Sequence, residues 1–172
     1  MISHGPREAG DGVVRLREVA LADAAELYRW RMEPGTRGRF RGTDVVPYET
    51  HVAFLDRYFL PENRDRWFVI EAEGQAVGAI ALYDFSADGD AAEWGRFVVS
   101  PEHRGRGWGR RALTLLMDHA RAIGVRDLRC EVLAGNAAAE GLYRRLGFVE
   151  TGSYEHGGRR FLELATVLPE GA

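Results

Sequence analysis

From Val13 to Val19 apolar and polar residues alternate (V-V-R-L-R-E-V), as along a strand with one buried face. From Leu21 to about Met32 the pattern becomes helical, with Asp23 in the first turn, where a carboxylate suits the helix dipole. Pro34 and Gly35 are expected to stop that helix, and residues 35–47 (GTRGRFRGTDVVP) to form an arginine-rich loop. Val52, Leu55 and Phe59 recur at helical spacing, which predicts a second helix from Tyr48 to Phe59. Trp67 to Glu73 and Gln75 to Tyr83 read as two strands joined at Gly74, followed by an Asp- and Gly-rich loop over residues 84–90. Trp94 to Val99 is a further strand that runs straight into Ser100-Pro101. Leu113, Leu116, Met117 and Ala120 share one face of a helix from Gly109 to about Ile123, closed by Gly124. Leu128 to Leu133 is a strand, and Asn136 to Leu146 a helix closed by Gly147. Phe148 to Tyr154 and Arg160 to Val167 are two last strands turned at Gly157-Gly158. The order β-α-α-β-β-β-α-β-α-β-β predicts an α/β domain with a mixed, mostly antiparallel sheet and about four helices.

Composition adds limits. The 172 residues suggest a flexible tail over residues 1–12 and a single domain over 13–172. A net charge of −3 gives no bulk attraction to nucleic acid or to an anionic membrane. All 23 basic residues are arginine, so a catalytic or Schiff-base lysine is excluded. The lone cysteine, Cys130, excludes a disulfide within the chain and fits a reducing cytoplasm. The first dozen residues hold no apolar run of signal-peptide length, no later stretch is long and apolar enough for a membrane span, and no metal-ligand spacing is apparent.

The most informative stretch runs from Val98 to Leu113 (V-V-S-P-E-H-R-G-R-G-W-G-R-R-A-L). A strand ends, Gly105, Gly107 and Gly109 fall at alternate positions, and a helix begins. Glycines allow a sharp turn and close approach of the backbone to a ligand. The first N–H groups of the helix lack intrahelical partners and suit an anion, as the helix dipole does. Arg104, Arg106, Arg110 and Arg111 add positive charge, and without an anion they are expected to repel one another. The spacing is G-x-G-x-G rather than the G-x-G-x-x-G of a dinucleotide-binding unit, and a nucleotide P-loop needs a lysine. A pyrophosphate is the anion that fits; a glycine-rich turn with no ligand is the plain alternative.

Arg104-x-x-Gly107-x-Gly109, preceded by Val99-x-Pro101, resembles the acetyl-CoA motif of the GNAT superfamily of N-acetyltransferases. The run N-A-A-A-E-G-L-Y-R-R-L-G-F, Asn136 to Phe148, resembles that family's second signature, in the right order and separation. The resemblance covers about residues 13–168. It implies a sheet splayed between its fourth and fifth strands, with the pantetheine arm in the cleft. It implies that the backbone of Phe97, Val98 and Val99 pairs with that arm. The amides of Arg104, Gly105, Arg106, Gly107, Trp108, Gly109 and Arg110 would hold the pyrophosphate. Asn136 would contact the cofactor arm, and Tyr143 would sit near the sulfur and protonate the departing thiolate. Family members are often dimers, so a homodimer is allowed.

Acetyl transfer to an amine needs a base for the amine proton, stabilisation of the carbonyl oxygen and an acid for the thiolate. Tyr143 is the candidate acid; a helix-end aromatic packed on Phe148 is the plain alternative. Glu93 is the candidate base, since its spacing ahead of Arg104 resembles that of the base glutamate in some family members; a solvated strand-end carboxylate is its alternative. Cys130 reads as a packed side chain rather than a covalent nucleophile, and His119 as a surface histidine. On the acceptor side, Arg29, Trp30, Arg31, Arg37, Arg39, Phe40 and Arg41 cluster around the first helix and its loop. Trp30, Arg31 and His51 are the candidate substrate-binding residues, with a solvated loop and a structural histidine as alternatives. The reading is an acetyl-CoA-dependent N-acetyltransferase acting on a small amine such as an amino sugar, by direct attack in a ternary complex. A protein acetyltransferase and a non-catalytic acyl-CoA-binding module remain as rivals.

Overall fold

One sheet, with β3 and β4 buried almost throughout, forms the centre of the computed structural model, which describes residues 8–170. In chain order the strands are β1 (Glu8–Gly10), β2 (Val14–Glu18), β3 (Arg66–Ala72), β4 (Gln75–Tyr83), β5 (Ala91–Val99), β6 (Asp127–Leu133), β7 (Val149–His156) and β8 (Arg159–Val167). The helices are α1 (Ala24–Met32), α2 (Pro34–Arg37), α3 (Tyr48–Tyr58), α4 (Trp108–Ala122) and α5 (Ala137–Arg145). The strand order is β1-β2-β3-β4-β5-β6-β8-β7. Every neighbouring pair is antiparallel except β5–β6, which is parallel.

Each face of the sheet has its own apolar layer. Leu113, Leu116 and Ala120 of α4 pack with Leu16, Phe68 and Ile70 on one face. Leu27 and Trp30 of α1 and Leu55 of α3 pack with Val69, Ala79 and Ala81 on the other. Truncating a fully buried leucine such as Leu116 costs about 2–5 kcal/mol, so the first turn of α4 is carried by a well-anchored helix.

The β5–β6 pair holds for only three rungs, Ala91↔Asp127, Ala92↔Leu128 and Glu93↔Arg129. Beyond Glu93 the two strands diverge, which opens the sheet where the family resemblance implies a splay, between the fourth and fifth strands expected from the sequence. β5 is also bulged against β4: Ala79 faces Val98 and Ala81 faces Gly95, so Arg96 and Phe97 oppose one residue. Arg96 takes φ +47 there, a left-handed conformation uncommon outside glycine. An ion pair to Asp65 at 3.0 Å and the Tyr83 ring at 4.5 Å hold its guanidinium.

Three local expectations change. Residues 8–10, placed within a flexible tail over 1–12, pair with β2 as strand β1; residues 1–7 lie outside the described part. The first helix ends at Met32, just ahead of Pro34 as expected, but residues 34–37 of the expected loop form α2, where the missing N–H of Pro34 costs nothing. The Glu33 side chain caps that turn, accepting from the amides of Gly35 and Thr36. The strand expected from Trp94 begins at Ala91, so Glu93 lies inside β5 rather than at its start.

Candidate active site

The divergence of β5 from β6 leaves a cavity of about 570 Å³. One wall is the far end of β5, with Phe97, Val98 and Val99. The opposite wall is β6, with Cys130 and Glu131, joined by Asn136, Leu142 and Tyr143 of the α5 region. Arg39, Phe40 and Arg41 line it from the segment that follows α2.

The end of β5 leads through a short 3-10 turn, Pro101–His103, into the glycine-rich turn. Gly105 and Gly107 take φ +78 and +79, which a side chain resists. A Cβ added at either would meet nothing within 4 Å, so the space beside them is open. Gly107 is the N-cap of α4, and no side chain caps that helix. Its first amides are therefore left for a ligand. Gly109 is held for a different reason: a Cβ there would lie 3.1 Å from the Phe97 ring.

The four arginines of the turn divide. Arg104 and Arg110 line the cavity. The Arg104 side chain is committed, donating to the Val99 carbonyl at 2.9 Å and to the Thr36 hydroxyl at 2.9 Å. Arg106 is absent from the lining; its guanidinium lies over the Trp108 ring at 5.0 Å. Arg111 pairs with Asp11 at 2.7 Å. The expected mutual repulsion is thus relieved partly within the chain, which leaves the backbone of the turn and Arg110 as the groups facing the cavity.

Tyr143 is buried on α5, its ring meeting Trp94 edge-on at 4.9 Å. Burial, then the Cys130 sulfur, pushes its hydroxyl well above the ordinary tyrosine value, while Arg39 pulls the other way. It is a proton-bearing group at neutral pH. Cys130 lies in the same cavity, and burial followed by the charges of Glu93 and Glu131 pushes its thiol up too. A thiol held protonated is a poor nucleophile, which disfavours a covalent route. Asn136 caps α5, its Oδ1 accepting from the Ala139 amide at 3.5 Å.

Glu93 sits at the last paired rung of β5 and β6, opposite Tyr83 and Arg129, at the base of the opening. It is half-buried and not itself part of the cavity lining. Burial, then Asp84 and Glu131, raises its pKa above the usual glutamate value. Glu131 lines the cavity and accepts a hydrogen bond from the Tyr154 hydroxyl. Tyr83 lies across Gly95, whose lack of a side chain gives its hydroxyl room.

Trp30, Arg31 and His51 are not brought to this cavity. Trp30 is fully buried in the layer between α1 and the sheet. The His51 Nε2 is 2.9 Å from the Ala24 carbonyl, and its ring lies between Tyr28 and Tyr48. Arg31 donates to the Gly42 carbonyl at 2.8 Å. Hydrophobic period alone does not distinguish a residue under a helix from one beside a cleft. His119, expected at the surface, is buried against Phe68, and burial lowers its pKa to about 4. Tyr83, Glu131 and Phe161 line the cavity without a sequence signal of their own.

Relatives fit this geometry. Spermidine N(1)-acetyltransferase of Escherichia coli K12 is 32% identical over 113 residues, 64% of this chain and 60% of that protein. IAA acetyltransferase of Azospirillum brasilense is 33% identical over 111 residues, 64% of this chain and 71% of that protein. Thus the match spans about 60% of the length of the spermidine acetyltransferase. Among solved structures, spermidine N-acetyltransferase from Vibrio cholerae in complex with CoA and spermine superposes with a TM-score of 0.83. It covers 92% of this chain and 97% of that one at 18% identity, a likeness of fold. The family model described as "Acetyltransferase (GNAT) family" matches residues 24–148. With the opened sheet, the glycine turn and a match over most of its length, this chain belongs to the acetyltransferase (GNAT) family.

Proposed function

We propose that this protein transfers an acetyl group from acetyl-CoA to a primary amine of a small molecule, by direct attack in a ternary complex. The observation that carries the reading is one cavity with two differently equipped ends. An uncapped, glycine-built helix N-terminus opens on it at one side, and the buried, protonated Tyr143 at the other. The residues fit the cofactor. The side-chain-free space at Gly105 and Gly107 suits the pyrophosphate. The edge of β5 beyond Glu93 has no β6 partner, so its backbone suits the pantetheine amides.

Bound acetyl-CoA would supply the acetyl group as a thioester. Glu93 takes the amine proton through water, since a carboxylate with a raised pKa is a stronger base than an ordinary one. The new N–C bond forms as the C–S bond breaks, and Tyr143 holds a proton at its Oη for the sulfur. The burial that raises the Tyr143 pKa also raises the proton affinity of a thiolate beside it, so the transfer remains matched. Asn136 offers its amide nitrogen to the cofactor arm, and Arg110 stands beside the turn.

A small acceptor is favoured over a protein terminus because Arg39, Phe40 and Arg41 add a side-chain wall to the cavity. A non-catalytic acyl-CoA-binding module is disfavoured because Tyr143 lines the cavity. The named substrate of the Escherichia coli relative makes spermidine the first acceptor to try, beside amino sugars and amino acids. No helix among the described residues is long and apolar enough to cross a membrane. A cytoplasmic enzyme with no nucleic-acid or membrane partner, able to form a homodimer, completes the reading. The test is a panel of amines with acetyl-CoA, reading free thiol release. Amine-dependent release supports the proposal; coenzyme A binding without release for any amine supports the non-catalytic module.

A further inference from the structure

Residues 38–42, of which 39–41 line the cavity, are neither helix nor strand, so their carbonyls need donors from elsewhere. Two guanidinium groups supply them. Arg159, the first residue of β8, donates from Nη1 to the Gly38 carbonyl at 2.9 Å. Its Nη2 donates to the carbonyls of Phe40 at 2.9 Å and Arg41 at 3.0 Å. Arg31, from α1 on the other side, donates to the Gly42 carbonyl at 2.8 Å and lies over the Phe40 ring at 4.3 Å. Carbonyls at 38, 40, 41 and 42 are thus bound by arginines from opposite halves of the opened sheet. The Arg159 guanidinium is itself placed over the Phe161 ring at 5.2 Å, and Phe161 stacks on Tyr154.

We propose that Arg159 is a positioning residue for acceptor recognition: it fastens residues 38–42, and with them Arg39, Phe40 and Arg41, as one wall of the cleft. The inference rests on the proposed acetyl transfer. The donor site is fastened separately, because Arg104 ties the glycine turn to Thr36 on α2, ahead of the Arg159 contacts. Loss of Arg159 therefore frees the acceptor wall and leaves the turn in place. A planar guanidinium with five donors reaches three carbonyls at once; a lysine ammonium in its place makes a poorer match to that set.

The test compares wild type, Arg159→Ala and Arg159→Lys by three readouts. These are acceptor KM at saturating acetyl-CoA, coenzyme A affinity by calorimetry, and amide hydrogen exchange across residues 38–42. Arg159→Ala should raise acceptor KM about tenfold or more. It should keep coenzyme A affinity within about twofold, which also reports that the variant is folded. Exchange across residues 38–42 should quicken, and Arg159→Lys should recover part of each change. An unchanged acceptor KM, or a loss of coenzyme A affinity as large as the rise in KM, overturns the proposal. Should Arg159→Ala not fold, Arg159→Lys carries the same test with a smaller expected rise. If the wild type acetylates no amine, the acetyl-transfer reading fails, and exchange alone decides the fastening: equal rates in wild type and variant overturn it.

Discussion

Of the two proposed ends of the cleft, the donor end offers mostly backbone groups, the turn at Gly105 and Gly107 and the unpaired edge of β5. At the acceptor end they are side chains, Arg39, Phe40, Arg41 and Glu131, carried by a segment that arginines hold from both sides. The two ends differ in what they ask of the sequence. A backbone site needs particular glycines at particular positions, because only they reach φ near +79 without strain. A side-chain site needs only a scaffold, and its residues change without disturbing the fold. This difference explains why one end names its ligand class and the other names only a chemistry, an amine.

The sharpest way to break that contrast is to put a side chain into the backbone site. Gly107→Val forces a β-branched residue to φ +79 and fills the open space beside the turn. Coenzyme A binding should be lost in calorimetry while circular dichroism stays that of the wild type; retained affinity would show that the turn does not carry the anion. Next in size is Tyr143→Phe, which keeps the ring against Trp94 and removes the proton. It should lower kcat about 1000-fold with coenzyme A affinity little changed, and an unaltered kcat would remove Tyr143 as the acid. Glu93→Gln should lower kcat/KM about 100-fold at neutral pH. A base acts deprotonated, so the wild-type rate should rise with pH through the Glu93 pKa, which lies above the usual carboxylate value. That rising limb should vanish in Glu93→Gln; a limb that persists would move the base elsewhere.

Local signals made much of the donor end legible. The strand, the alternate glycines and the amphipathic face of α4 lie within a short stretch, so sequence spacing and spatial proximity coincide there. Other features escaped for definite reasons. Pro34 reads correctly as the stop of α1, but only Glu33 capping the next turn shows that it also begins α2. Arg96 gives no sign of its left-handed backbone, which follows from a bulge in the β4–β5 register. His119 sits one position off the apolar stripe yet packs under the sheet against Phe68. Arg159 meets carbonyls about 120 positions earlier in the chain, and no local pattern encodes so distant a contact. Trp30 and His51 show the converse, conspicuous residues that serve packing.

The central claim is that the turn from Arg104 to Gly109 is shaped for a pyrophosphate. The most direct measurement is calorimetric titration of the wild-type protein with coenzyme A and, separately, with pantetheine, which lacks that group. Coenzyme A should bind one molecule per chain, and pantetheine about 100-fold more weakly or worse. Equal affinity for the two, or no binding of coenzyme A, would contradict the account.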